Sequence, residues 1–100
     1  MIKVEFVYKT KTADLPELMG KFQESGENSD FQSEAKHLKM EMSRRDEEDV
    51  TFIVLDIYYA DLETFEQRTE FELNQPRWRE IWFGEHNKHE QVSRLIYDVL

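Results

Sequence analysis

Few residues in this chain have the type and spacing to do chemistry, and each has a plainer reading beside it. Asp56 is the sharpest candidate, a lone acid inside the run Ile53-Val54-Leu55-Asp56-Ile57-Tyr58-Tyr59. A desolvated carboxyl in such a setting can serve as a general base. The plainer reading is a carboxylate paired with a nearby Lys or Arg, or one exposed at a pocket mouth. His86-Asn87-Lys88-His89 sets two imidazoles at i and i+3, flanked by Glu85 and Glu90. On one helical turn they could share a metal, but Lys88 between them opposes a cation, so we read a solvated loop and no metal site. His37 lies beside Lys36 and Lys39 and reads as a surface histidine. The cluster Asp46-Glu47-Glu48-Asp49 lacks the spacing and glycine of a calcium loop and reads as a solvated hairpin tip.

The aromatics are the other chemical feature. Tyr8, Tyr58, Tyr59, Phe65, Trp78 and Trp82 are many for a chain of 100 residues. Large rings fill cores, and they also line ligand pockets in which a few polar groups fix orientation. Side chains alternate along a strand, so Tyr58 and Tyr59 point to opposite faces and at most one of them faces a given pocket. Our candidate ligand-lining set is Tyr8, Asp56, Tyr58, Phe65, Trp78 and Trp82. No catalytic residue is assigned and no cofactor is indicated. Gly20, Gly26 and Gly84 are scattered rather than gathered into a phosphate loop, and the serines sit in no hydrolase elbow.

Composition narrows the partners. The 13 Lys and Arg against 22 Asp and Glu give a formal net charge of -9, which repels nucleic-acid phosphates and anionic membrane surfaces. The arginine pairs Arg44-Arg45 and Arg77/Arg79 are the candidates for a basic patch, and the first pair is followed at once by four acids. We therefore expect neither nucleic acid nor membrane as a partner. Without cysteine there are no disulfides, thiolate metal sites or cysteine nucleophile. The N-terminal run alternates and carries charge, unlike a signal-peptide core, and the longest apolar run, Phe52 to Leu55, is far too short for a bilayer. The expectation is a cytoplasmic protein.

The elements that would position these residues follow from periodicity. Ile2, Val4, Phe6 and Tyr8 alternate with polar residues, predicting a strand over 2–10 with one buried face. Asp14, Pro16 and Glu17 open a helix whose stripe is Leu15, Leu18, Met19 and Phe22 and whose end lies near Gly26. Residues 27–36 read as a loop with room for one helical turn. A strand over 37–45 and another over 50–59 are close enough to form a hairpin. The second of these is apolar on both faces, as a central strand covered twice would be. Asp61 is the next N-cap, with Leu62, Phe65, Thr69 and Leu73 on the inner side. Pro76 opens a short second helix carrying Trp78, Ile81 and Trp82 and closed by Gly84, and 92–100 reads as a final strand.

The order is β-α-β-β-α-β, an α+β plan in a single domain spanning 1–100. It is the ferredoxin-like plan, an antiparallel four-stranded sheet with the helices on one face and the strands at Ile2 and Val50 in the centre. Helices cover only one side of that sheet. A second copy is the simplest cover for the other, although Lys3, Glu5, Lys39 and Glu41 suit a monomer with a half-polar open face.

With this topology, the stretch Asp56-Ile57-Tyr58-Tyr59-Ala60-Asp61-Leu62-Glu63-Thr64-Phe65 and the step Asn74-Gln75-Pro76-Arg77-Trp78 resemble the dimeric α+β barrel superfamily, which includes antibiotic-biosynthesis monooxygenase-like and NIPSNAP-like proteins. The resemblance implies a homodimer with a pocket between each sheet and its own helices. Haem-degrading members use an asparagine on the first strand with a tryptophan and a histidine on the second helix, and quinol-oxidising members often use a similar asparagine. The first strand here has no Asn and the helix after Asp61 has no His, so no catalytic residue carries over. The leading expectation is a dimer that binds a small apolar or aromatic ligand. The alternatives are a cofactor-independent monooxygenase-like enzyme using Asp56 and a tyrosine, and a purely structural or regulatory dimer.

Overall fold

A computed structural model describes residues 1–100. The chain runs β1 (Ile2–Lys11), α1 (Leu15–Glu27), β2 (Lys39–Glu47), β3 (Val50–Tyr59), α2 (Leu62–Leu73), α3 (Pro76–Phe83) and β4 (Glu90–Asp98), with single 3-10 turns at Thr12–Asp14 and Ser29–Phe31. All strand pairs are antiparallel and the sheet order is β2-β3-β1-β4. The two strands expected in the centre are there. This is the ferredoxin-like α+β fold.

Register assigns the faces. Val4 pairs with Ile57, Phe6 with Leu55 and Tyr8 with Ile53, and residues directly opposite share a face. That face takes the helices: Leu15 and Leu18 of α1 pack on Ile53, and Phe65 of α2 packs on Ile2, Val4 and Tyr59. Val4 and Leu18 are fully buried. The other face, with Val7, Val54, Asp56 and Tyr58, has no helix against it.

Local chemistry explains the joints. The Asp61 carboxylate accepts from the Thr64 backbone N–H at 2.8 Å and from its hydroxyl at 2.7 Å, capping α2 as its sequence position predicts. Asp14 makes no such bond. The 3-10 turn before α1 leaves Asp14 at φ −95°, ψ 0°, outside the extended geometry that swings a cap side chain back over the first turn. Gly84 closes α3 because a Cβ there would lie 2.5 Å from the Glu80 carbonyl oxygen. Two residues join β2 to β3, and the first, Glu48, has a φ of 55°. A left-handed backbone crowds any Cβ. Glu48→Gly is therefore expected to raise the unfolding free energy by about 0.5–1 kcal/mol, read as a higher urea midpoint at unchanged m-value.

Candidate functional site

The helix side of the sheet carries a continuous aromatic seam. Tyr8 meets Phe22 edge-on at 5.3 Å between ring centroids and Trp82 at 5.4 Å; Phe22 and Trp82 are 5.2 Å apart. The seam continues from Trp82 to Trp78 at 6.4 Å and on to Phe31 at 5.2 Å. Phe65 packs separately, on Tyr59. These spacings are those of rings in mutual contact. Polar handles are few. The Trp82 indole N–H donates to Ser25 Oγ at 3.0 Å. Burial pushes the Tyr8 and Tyr59 hydroxyls well above the ordinary phenol range, Tyr59 to about 12, and the Glu72 carboxylate adds to both shifts.

At the edge of this seam lies the most enclosed ion pair of the molecule. Arg68 Nε bonds Glu72 Oε2 at 2.9 Å, with the two side chains 15% and 21% exposed. Arg68 also donates to the Phe31 carbonyl at 2.6 Å and to Ser33 Oγ at 3.2 Å, and its guanidinium lies over the Phe71 and Trp78 rings. It thereby ties the segment after α1 to α2 and α3. Burial raises the Glu72 carboxyl, while Arg68 holds it down.

The opposite face has different chemistry. Across the strands, Glu41 pairs with Asp56 and Asp56 with Glu5, setting three carboxylates in one row. Like charges placed directly opposite destabilise a sheet. The response is visible at Glu5: burial first, then the adjoining Asp56 carboxylate, hold its carboxyl above the usual range, while Lys3 pulls it down. Asp56 Oδ1 is buried without a hydrogen-bond partner. Other rows of this face carry Lys39 over the Tyr58 ring, Lys3 over Tyr97 and Arg45 over Phe52.

The six candidate residues thus do not converge. Tyr8, Trp78 and Trp82 share the helix-side seam, and Phe65 lies on that side with Tyr59. Asp56 and Tyr58 lie across the sheet, because the β1–β3 register gives them the parity of Glu5 and Lys3. Surface clefts lie elsewhere. One of about 360 Å³ runs along Glu66, Glu70, Leu73 and Arg94, and one of about 490 Å³ along Glu17, Lys21, Arg77 and Asn87. Neither is lined by any of the six.

Two expectations are corrected. His89 is 8% exposed rather than solvated, with Nδ1 2.7 Å from the Thr10 hydroxyl, whereas His86 stays in solvent. The inner stripe of α2 runs through Phe65, Arg68 and Glu72. Leu62 and Leu73 are each 46% exposed, because the helix turns its charged i, i+4 pair toward the loop after α1. Arg68 and Glu72 are the polar residues that sequence reasoning missed. Their spacing of i+3 and i+7 from Phe65 was the available signal.

Among solved structures, the chain is similar to a dimeric ferredoxin-like protein from an uncultured marine organism. The match has a TM-score of 0.63 at 13% identity and covers 99% of this chain and 97% of that one. At that identity the likeness carries the fold and nothing finer. No protein-family model matches the chain, and no curated protein does. No helix is long and apolar enough to cross a membrane.

Two measurements probe these sites. Arg68→Leu strands the Glu72 carboxylate and the Phe31 carbonyl, and is expected to cost about 2–4 kcal/mol in denaturant unfolding, with Glu72→Gln costing less. Burial and nearby Lys21 lower the His89 pKa below its ordinary 6.5, so the folded state favours the neutral ring. That contribution to stability is complete above about pH 6.5 and falls as pH drops through the folded-state value. His89→Gln should remove this part of the acid-side loss of Tm.

Proposed function

We propose that this chain acts as a homodimer whose open sheet faces close on one another as an α+β barrel of the superfamily it resembles. Each protomer, one domain over residues 1–100, then holds a small apolar or aromatic ligand between sheet and helices. The observation that carries the reading is the uncovered face of the sheet. Its middle is apolar, with Val7 opposite Val54, Phe52 beside them, and Leu95 and Tyr97 on β4 49% and 41% exposed.

Charge favours a second copy as the cover. Lys3, Lys9 and Lys11 of β1 share that face with Lys39 and Arg45 of β2. The acids on it are Glu5, Glu41, Glu47, Asp56 and Glu90. Five cations meet five acids, so the face is formally neutral in a chain of net charge -9. Two copies repel least when these faces meet. Four strands about 4.8 Å apart and nine residues long make a rectangle of roughly 600 Å² a side, which puts the total at the lower end of specific interfaces. The solved structure of the same fold is itself described as dimeric.

The ligand reading rests on the helix side. Tyr8, Trp78 and Trp82, with Phe65 set apart on Tyr59, offer ring faces to an aromatic or apolar guest, and Arg68–Glu72 is a polar anchor at the edge of the seam. Asp56 and Tyr58 belong to the subunit contact in this reading. The enzyme alternative would pair Asp56 with Tyr58, which shares its face beside Glu5 and Glu41, apart from the four helix-side rings. The dimer is set in the cytoplasm, where a cysteine-free domain needs no oxidising compartment.

Sedimentation equilibrium tests the assembly. The wild-type chain should run as a dimer and Val54→Lys as a folded monomer, since a lysine there puts a charge in the middle of the contact. A wild-type monomer at high micromolar concentration would sink the reading. Small planar aromatics should raise the Tm of the wild type and not of Trp82→Ala.

A further inference from the structure

The carboxylate row on the open face has a consequence for how two copies meet. Glu41, Asp56 and Glu5 stand side by side on β2, β3 and β1, with Leu95 of β4 completing the row. The row lies one step from Val7 and Val54, beside the centre of the face. A two-fold axis through that centre takes the row out of water and, where it runs along the strands, sets the row against its symmetry copy.

The neighbouring cations are already committed. Lys39 is bonded to Glu41 at 3.1 Å and lies over Tyr58. Lys3 lies over the Tyr97 ring. On the other flank the row meets Ser43, Val54, Val7 and Ser93, none of them charged. No helix packs on this face, so nothing from α1, α2 or α3 reaches the row. Glu5 and Asp56 are left facing each other, with Asp56 Oδ1 buried and unpartnered. A proton on Glu5 would turn this like-charge contact into a carboxyl–carboxylate hydrogen bond and give Asp56 a donor.

We propose that closing the two open faces takes up protons at the Glu5–Asp56 pairs, so that the homodimer tightens as the pH falls. The proposal rests on the dimer reading above and adds its regulation. Covering the two Glu5–Asp56 pairs removes water from four carboxyls, and apposing the pairs adds like charge. Both disfavour the ionised forms more in the dimer than in the monomer, and linkage turns that difference into a pH-dependent dissociation constant. The Glu5 carboxyl is already held high in the single chain.

The test is the dimer dissociation constant by sedimentation equilibrium between about pH 7.5 and about pH 5.5, at fixed ionic strength. The wild type should tighten about tenfold or more over that range. Asp56→Asn and, independently, Glu5→Gln should bind more tightly than wild type at the upper pH and lose most of the slope. Glu34→Gln, which removes the same charge from an exposed loop, should keep the wild-type slope and so separates the effect from the fall in overall net charge. A dimer whose affinity is unchanged by pH, or loosens on acidification because partner cations face the row, overturns the proposal and leaves the dimer reading standing. An unchanged slope in both neutralised variants also overturns it. A monomer at every pH overturns both.

Discussion

Everything in this fold answers to the position of β3. It is hydrogen-bonded on both sides, to β2 and to β1, so its backbone polar groups are satisfied wherever its side chains go. Those side chains are apolar in both directions. Ile53 and Leu55 point under the helices and are 2% and 6% exposed, while Val54 and Phe52 point away from them. A strand of this kind gains its stabilisation only if both faces lose water. The helices meet half of that demand. The other half makes the open face the feature from which assembly has to be argued.

The fold was legible because its signals are local. Alternation in Ile2-Lys3-Val4-Glu5-Phe6, the cap at Asp61, and Pro76 with Gly84 around the short helix each require only neighbouring residues to read. The site was less legible because its determinants are pairings across the sheet. Glu5 and Asp56 are far apart in sequence, and no periodicity says that the β1–β3 register sets them opposite. The same holds for His89, whose burial depends on Thr10 at the far end of the chain. On α2 the pattern itself misled. Leu62 and Leu73 looked like the inner stripe, yet the helix turned Arg68 and Glu72 inward because the Phe31 carbonyl and Ser33 hydroxyl needed donors.

The two faces of the sheet divide the work. The helix side carries the buried core and a seam where rings touch rings, and the one enclosed ion pair also holds a loop in place, so changes there act on stability and on any guest among the rings. The open side is a mosaic of valines, capped aromatic rings and charges that balance over the whole face but not row by row. Such a surface is apolar in the middle and charged at its margins. Mixed composition of this sort suits an interface that forms between folded subunits.

For the proposed dimer, the edges of the sheet favour association through a face over the addition of strands. β2 is exposed along its whole length but carries Lys39, Glu41, Arg44, Arg45, Asp46 and Glu47, and charge on an edge strand is an effective guard against edge pairing. β4 is guarded differently. Its register against β1 shifts between Val7 and Tyr8, so that Ser93 and Gln91 pair while Val92 is left over as a bulge. A bulge bends the strand and breaks the regular row of donors and acceptors that an incoming strand would need. With one edge charged and the other bent, the apolar middle of the open face is the remaining continuous surface on which a second sheet can stack. Stacking in turn covers Val54, and with it the half of β3 that the helices leave uncovered.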